Sequence, residues 1–269
     1  MYESYFGLKE SPFNVTPDPK FLYLSQSHQN ALSALLYGVE SRRGFIQITG
    51  EIGAGKTTLC RLLLQKLVGV AHSSLVLNPK LSQFELLQVM VEDFGITPKG
   101  KKRKDYFEAL NKFLLEELAR GFNAVVIIDE AQLLTPKALE HIRLLSNFET
   151  SSQKLLQIIL AGQPELKDLL NRKDLKQLRQ RITIRAHLPE LSREDTETYV
   201  EHRLKVAGTE KHLFTKDALD MIYQLSSGIP RLINVLADRA MIAAYIQNSP
   251  VIHASMVETA QADLEGALR

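Results

Sequence analysis

Short apolar runs alternate with amphipathic stretches along the first two thirds of the chain. Between the runs, apolar residues recur at the three- and four-residue spacing of a helix that buries one face. One run, AVVIIDEAQ, is continuous and rich in β-branched residues, which is typical of a central parallel strand buried on both faces. Strands that alternate with helices predict an α/β fold with a parallel sheet. The five runs, in chain order, are GFIQITG, SLVLNP, AVVIIDEAQ, LLQIILAG and RITIRAHL.

The pattern changes near Pro189, after which only helical signals remain. These signals are interrupted at Gly228-Ile229-Pro230, where glycine and proline are expected to separate two helices. Before the first helix, the proline- and aromatic-rich lead-in SPFNVTPDPKFLYLS is expected to be ordered but irregular. The chain is therefore predicted to divide into an α/β part, residues 1–188, and an all-helical part, residues 189–269.

The amino-acid composition excludes few classes of protein. Of the 269 residues, 45% are hydrophobic and 24% are charged, as in ordinary globular domains. The 33 basic and 31 acidic residues nearly balance, so the net charge of +2 argues neither for nor against nucleic acid. Cys60 is the single cysteine, which excludes an internal disulfide and suits a reducing compartment. Because no apolar run approaches about 18 residues and the N-terminus lacks a signal-peptide pattern, a cytoplasmic location is expected.

The stretch ITGEIGAGKTTLC contains a glycine-rich loop of the form G-x-x-x-x-G-K-[ST]. Glycines let the backbone curl so that successive N–H groups converge on an anion, and the following helix adds its positive end. Lys56 can reach the β- and γ-phosphates of a nucleotide, and the Thr57 hydroxyl can bind Mg²⁺. The loop follows a predicted strand and opens a predicted helix, which is the context that the motif requires. The predicted nucleotide-binding residues are Gly50, Glu51, Ile52, Gly53, Ala54, Gly55, Lys56, Thr57 and Thr58.

Two acids, Asp129 and Glu130, follow the third apolar run. An acid at the end of a buried strand beside a phosphate loop can hold Mg²⁺ through a water molecule, which suits Asp129. Glu130 is placed to orient and polarise the attacking water. The alternative is that both acids only cap the next helix. An Asp-Glu pair, in a chain without an Asn-Lys-x-Asp segment, favours ATP hydrolysis over a GTPase switch.

Four further polar residues are candidates for contact with phosphate. Gln163 follows the fourth run, and strand carboxyl ends line such sites, although a plain turn residue before Pro164 is the alternative. Arg179 and Arg181 flank the start of the fifth run, and Arg231 lies in GIPR at the head of a helix. Arginine offers phosphate oxygens a fixed and always charged fork. For any single arginine a surface salt bridge is the alternative, so the pattern alone leaves these roles open.

The segments GEIGAGKTT, VVIIDEAQ, LAGQPEL, LRQRI and GIPR occur in the order found in AAA+ ATPases. The longer segment YFGLKESPFNVTPDPKFLYLSQSHQNAL, which contains the lead-in, resembles the ExeA/GspA family. Its members are ATPases of the general (type II) secretion pathway with relatives in mannose-sensitive pilus biogenesis. LSREDTETYVEHRLKVAG is similar to that family's linker into a helical lid. The resemblance covers nearly the whole chain. It implies a P-loop NTPase with a three-layer αβα core around a five-stranded parallel sheet, followed by a helical lid.

The resemblance also implies roles for the residues that match the family's motifs. Lys56 and Thr57 match the Walker A lysine and Mg²⁺ ligand, and Asp129 and Glu130 match the Walker B acids. Gln163 falls at the sensor-1 position, where many AAA+ proteins carry asparagine. ATP and Mg²⁺ are therefore the implied cofactors.

A second set of roles concerns the lid, a neighbouring subunit and the base. Arg231 matches the sensor-2 arginine that closes the lid on the nucleotide. Arg181 matches the arginine finger, and Arg179 is the second choice. A finger acts in trans, so the resemblance implies a homo-oligomer, such as a ring, in the active state. The lead-in from Tyr23 to His28 is expected near the adenine.

Family members often continue into a transmembrane helix and a periplasmic peptidoglycan-binding domain, and they work with a membrane-anchored partner of the GspB/ExeB type. Neither segment lies in this sequence. The chain is therefore either a short relative or the cytosolic portion of a longer inner-membrane protein. We expect the second, with contacts to the partner and to peptidoglycan made through other regions.

The run PKGKKRKD is the one concentrated stretch of positive charge. Its lysines from Lys99 to Lys104 either contact an anionic partner, namely nucleic acid or the headgroups of the inner membrane, or form a solvated loop between two helices, and the loop is favoured. The preferred function is an ATPase that drives assembly of a secretion or pilus machine. The rival is a DNA-associated helper of the transposition-regulator type, which the neutral net charge and the lack of a DNA-binding module disfavour. A nucleotide-dependent scaffold with negligible turnover is a weaker option, because a scaffold does not need Glu130.

Overall fold

The chain forms two compact units in a computed structural model, which describes residues 2–77 and 79–266. The lead-in belongs to the unit that contains the helical C-terminal residues, whereas the sequence placed it with the α/β part. This division by contacts is not the same as a division into domains along the chain, so the domain limits 1–188 and 189–269 stay a prediction. The sheet unit comprises residues 27–50 and 59–188, and the helical unit comprises the described parts of residues 1–26, 51–58 and 189–269.

The sheet unit is built on five parallel strands in the order β2-β3-β4-β1-β5. Every position of β1, β3 and β4 is buried, as the continuous apolar runs predicted. Because all strands are parallel, their carboxyl ends share one edge of the sheet. The strands are β1 (Phe45–Gly50), β2 (Ala71–Val76), β3 (Asn123–Ile128), β4 (Leu156–Gly162) and β5 (Ile182–Leu188).

The apolar run SLVLNP, residues 74–79, predicted the second strand. Strand β2 is formed by residues 71–76, so it begins and ends three residues earlier than predicted. Among the residues that the structure describes, it pairs only with β3, from Ala71 opposite Asn123 to Val76 opposite Ile128. An edge strand tolerates polar residues, and here the Ser74 hydroxyl donates a hydrogen bond of 2.7 Å to a carboxylate oxygen of Asp93. The polar start of β2 was therefore invisible to a search for apolar runs.

Twelve α-helices lie in the described part of the chain. Within residues 2–77 and 79–266, none of them is both long enough and apolar enough to cross a membrane. The helices are α1 (Tyr2–Phe6), α2 (Gln26–Glu40), α3 (Lys56–Leu67), α4 (Gln83–Asp93), α5 (Arg103–Ala119), α6 (Pro136–Leu145), α7 (Glu165–Leu170), α8 (Lys176–Arg181), α9 (Arg193–Val206), α10 (Lys216–Ser226), α11 (Pro230–Ile246) and α12 (Ala254–Gly266).

The helical unit has its own apolar core, formed by the lead-in and helices α9 to α12. Helices α10 and α11 are separated at Gly228 and Pro230, as the sequence predicted. Gly228 has φ +76°, and a β-carbon there would lie 2.0 Å from the backbone oxygen of Leu191. Glycine is therefore required at this break.

A buried arginine fastens the lead-in to helix α9. The Arg203 side chain is 6% exposed and donates hydrogen bonds to the carbonyl oxygens of Pro12 (2.5 Å) and Asn14 (3.0 Å). Its guanidinium carbon lies 4.9 Å from the centre of the Phe21 ring. A buried cation keeps its charge only where hydrogen-bond acceptors and π-faces replace water, so this contact explains why an irregular, proline-rich segment is ordered.

Candidate functional site

The glycine-rich loop lies between β1 and α3, the context that its motif requires. Gly53 and Gly55 have φ +86° and +96°, a region that residues with a side chain rarely adopt. Lys56 is the first residue of α3 and is 5% exposed, and its ammonium donates a hydrogen bond of 2.9 Å to the carbonyl oxygen of Glu51. The lysine is thus drawn back over the loop, and Thr57 follows it in the first turn of α3.

The head of helix α11 contacts this loop within the helical unit. The backbone N–H of Arg231 donates a hydrogen bond of 3.3 Å to the carbonyl oxygen of Gly53. A β-carbon on Gly53 would lie 2.5 Å from the Arg231 β-carbon and 3.3 Å from a methyl carbon of Ile229. Pro230 occupies the first helical position, where its missing N–H costs nothing. The structure therefore brings together two of the sequence-predicted features, the loop and Arg231.

The two acids lie directly after β3, at the edge where all strands end. Asp129 is 3% exposed, and its carboxylate accepts a hydrogen bond of 2.9 Å from the backbone N–H of Glu130. Glu130 has φ +52°, so its backbone is left-handed without being glycine. Such strain is stored mainly at functional sites, where surrounding contacts hold the residue in place.

Two side-chain amides hold the carboxylate of Glu130. Nε2 of Gln163, just beyond β4, donates to Glu130 Oε2 at 3.1 Å. Nε2 of Gln132 donates to the same oxygen at 2.6 Å. The structure thus brings Gln163 to Glu130, as expected for a strand-end residue. The sequence reasoning missed Gln132, although its place two residues after Glu130 in DEAQ was a usable signal.

The two finger candidates lie in the last turn of α8, just before β5. Nη1 of Arg181 donates hydrogen bonds to the carbonyl oxygen of Arg143 (3.3 Å), to the Ser146 hydroxyl and to Oδ1 of Asn147 (3.0 Å). These acceptors surround the C-terminus of α6, so Arg181 caps that helix. Nη1 of Arg179 donates one exposed hydrogen bond, of 3.2 Å, to Oδ1 of Asn171. Of the two, Arg179 carries fewer local bonds.

Tyr23 and His28, the predicted adenine neighbours, lie in different compact units. The Tyr23 hydroxyl donates a hydrogen bond of 3.0 Å to Oδ1 of Asp195, at the start of α9. Burial, followed by this bond to a carboxylate, raises the pKa of Tyr23. His28 is buried in α2. Their proximity to adenine stays a prediction.

The basic run forms an exposed loop and the first turn of α5. Arg103 lies 5.4 Å above the centre of the Phe107 ring, and its Nη2 is 3.1 Å from Nδ1 of His141. Lys104 forms an exposed ion pair of 3.4 Å with Glu108. Arg103 and Lys104 therefore already interact with side chains of α5 and α6.

The amino-acid sequence of the chain is similar to those of known proteins. The family model described as an AAA domain matches residues 39–170. General secretion pathway protein A of Aeromonas hydrophila is 46% identical over 255 residues, which covers 94% of this chain and 47% of that protein. The chain thus spans about half the length of this curated relative.

Solved structures share the fold at low identity. The ORC2 protein of Aeropyrum pernix, solved as ADPNP-ADP complexes, has a TM-score of 0.69 at 18% identity, covering 94% of this chain and 71% of that chain. The RuvB Holliday junction branch migration motor of Thermotoga maritima has a TM-score of 0.59 at 19% identity, covering 90% and 70%. The predicted P-loop α/β fold with a helical C-terminal part is confirmed.

Proposed function

Because the chain is a homologue of general secretion pathway protein A and carries an AAA domain, we propose that it binds and hydrolyses ATP. One observation carries this proposal. The carboxylate of Glu130 is held by two amides at the edge of the sheet where β1, β3 and β4 end. A scaffold that only binds nucleotide has no need of a restrained, partly exposed carboxylate at this point.

The glycine-rich loop is proposed to bind the phosphates. Its backbone N–H groups and the positive end of α3 favour an anion, and Lys56 supplies a charge for the β- and γ-phosphates. The Thr57 hydroxyl and the Asp129 carboxylate fit Mg²⁺, since hard cations prefer oxygen ligands and the buried Asp129 is already oriented by the Glu130 N–H. Bound there, Mg²⁺ would neutralise charge on the phosphates.

Glu130 is proposed as the residue that orients and polarises the attacking water. Its carboxylate accepts a hydrogen bond from that water and draws away a proton as the water oxygen approaches the γ-phosphate. Gln163 fixes Glu130 and offers an amide at the same strand end. Arg231 lies at the head of α11, beside the loop and in the same compact unit, and its guanidinium is proposed to contact a bound phosphate.

An arginine from a second copy of the chain is proposed to complete the site. Both Arg179 and Arg181 remain candidates for this finger. Arg181 has to leave its three acceptors at the end of α6 before it can reach another subunit, whereas Arg179 gives up one. In either case the active form is a head-to-tail oligomer.

At the level of the cell, we propose that ATP hydrolysis drives assembly of an envelope secretion or related pilus machine from the cytosolic side of the inner membrane. The support is the 46% identity to general secretion pathway protein A. The exposed lysines from Lys99 to Lys104 are proposed to form a solvated loop, which would attract anionic headgroups only if the chain is tethered beside a membrane, and that attraction weakens as salt rises.

Phosphate release tests this proposal. The purified chain is assayed with ATP in the presence of Mg²⁺ or EDTA, and with or without duplex DNA at fixed ionic strength, because phosphate contacts depend on salt. We expect Mg²⁺-dependent release that DNA leaves unchanged. Absence of release contradicts the proposed activity, and strong stimulation by DNA favours a helper ATPase that acts on DNA.

A further inference from the structure

The carboxamide of Gln132 is held at both of its ends. Its Oε1 accepts a hydrogen bond of 3.1 Å from the backbone N–H of Gln163, and its Nε2 donates to Glu130 Oε2 at 2.6 Å. The backbone contact fixes which end of the amide faces Glu130, because only the NH₂ group can donate. Gln132 therefore joins the end of β4 to the carboxylate after β3.

The backbone around Gln132 is shaped to make this contact. Residues Ala131–Leu133 form a short 3₁₀ turn that opens with a hydrogen bond of 2.9 Å from the Leu133 N–H to the Glu130 carbonyl. The positive φ of Glu130 begins the turn and sends the chain back on itself. Gln132 can then reach the carboxylate two residues before it, whereas side chains two residues apart do not face each other in a regular helix.

Gly162 leaves the space that the amide occupies. A β-carbon at this last residue of β4 would lie 2.7 Å from Gln132 Oε1 and 2.9 Å from a methyl carbon of Leu166. Both distances are shorter than ordinary van der Waals contact. The end of β4 is thus fitted to Gln132 by one missing side chain and one backbone N–H.

The side-chain amides of Gln132 and Gln163 donate to the same carboxylate oxygen of Glu130, Oε2. Neither of these two amides binds Oε1, which is the oxygen that we expect to face the attacking water. We propose that Gln132 is a positioning residue, which holds Glu130 in the orientation that hydrolysis requires. This inference rests on the proposed function, because it assumes that Glu130 acts on the attacking water.

The chemistry of the contact explains why glutamine stands here. Asparagine is one methylene shorter and cannot span both partners at these distances. Glutamate keeps the length and the acceptor for the Gln163 N–H, but it places a second carboxylate against Glu130. Methionine keeps most of the volume and offers no donor.

The test compares Gln132→Met and Gln132→Glu with the wild-type chain, each alone and combined with Glu130→Gln. Steady-state ATP hydrolysis gives kcat and KM, and binding of a fluorescent ATP analogue reports the site without turnover. We expect kcat to fall about ten- to hundredfold in Gln132→Met and further in Gln132→Glu, while KM and analogue binding change less than about threefold. In the Glu130→Gln background, neither substitution should lower kcat again.

Three results separate the possibilities. An unchanged or raised kcat in Gln132→Met overturns the inference, as does a further loss in the Glu130→Gln background. If Glu130→Gln alone hydrolyses ATP at the wild-type rate, the proposed role of Glu130 fails instead. Thermal unfolding of each variant identifies misfolding, and should Gln132→Met not fold, the same double-mutant comparison with the nearly isosteric Gln132→Glu decides the question.

Discussion

Gly53 and Arg231 approach so closely that a β-carbon on the glycine would lie 2.5 Å from the β-carbon of the arginine. The backbone N–H of Arg231 also donates to the carbonyl oxygen of Gly53. The glycine therefore serves two purposes at once, since it supplies a positive φ to the phosphate loop and leaves room for the head of α11.

Gly53→Ala should weaken nucleotide binding more than the backbone strain alone explains. The added methyl group must displace either the loop or α11, and the loop's N–H groups then no longer converge on one point. We expect the ATP dissociation constant to rise by about tenfold or more. The control is Gly69→Ala, where φ is +83° and no atom lies within 4 Å of the added carbon. Equal effects of the two substitutions on ATP binding would contradict the steric argument.

Arg231→Ala should reduce turnover while leaving the fold intact. The side chain is exposed, and the contact with Gly53 uses the backbone N–H, which alanine retains. We expect kcat/KM for ATP to fall by about tenfold, as when one charged contact to phosphate is lost. Arg239→Ala, on the same helix, is the matched control and should stay close to the wild-type value. A wild-type kcat/KM for Arg231→Ala would remove this residue from the site.

Arg181→Ala should destabilise the sheet unit, whereas Arg179→Ala should not. Arg181 caps the end of α6 through three acceptors, and the substitution leaves them without a charged donor. We expect a loss of about 1–2 kcal/mol in the free energy of unfolding by urea. Arg179 has one exposed bond, so its replacement should change stability by less than about 0.5 kcal/mol.

The same pair separates capping from catalysis in trans. If Arg179 is the finger, Arg179→Ala lowers turnover at full stability, and mixing it with Lys56→Ala subunits restores part of the activity. If Arg181 is the finger, only Arg181→Ala subunits are rescued in this way.

Arg203→Met should release the lead-in from the helical unit. The arginine is buried, and its loss leaves the Pro12 and Asn14 carbonyl oxygens and the Tyr199 hydroxyl without their donor. We expect about 2–4 kcal/mol of destabilisation and faster protease cleavage between residues 12 and 21. Lys205→Met, an exposed change on the same helix, is the control. Unaltered protection of the lead-in in Arg203→Met would show that its aromatic residues suffice to order it.

The sequence predicted the sheet well because β1, β3 and β4 are buried on both faces and are therefore read from continuous apolar runs. It misplaced β2, since an edge strand carries polar residues without penalty. The loop glycines and Lys56 were recognisable because anion binding by backbone N–H groups requires a fixed spacing.

The remaining residues depend on contacts between distant parts of the chain. Arg203 looks like any charged residue on an amphipathic helix, and only the folded lead-in shows that its guanidinium is buried. Gln132 reaches Glu130 through a 3₁₀ turn that begins at a left-handed residue, which no periodicity predicts. The capping role of Arg181 likewise needs α6 and α8 to pack together.

ATP binding and phosphate release by Glu130→Gln, measured beside the wild-type chain, test the central claim most directly. The substitution keeps the shape of the side chain and removes the carboxylate that is to polarise the water. We expect the variant to bind ATP within about threefold of the wild-type affinity, while its phosphate release falls by about a hundredfold or more. Phosphate release at the wild-type rate by Glu130→Gln would contradict the assignment of Glu130 to the attacking water.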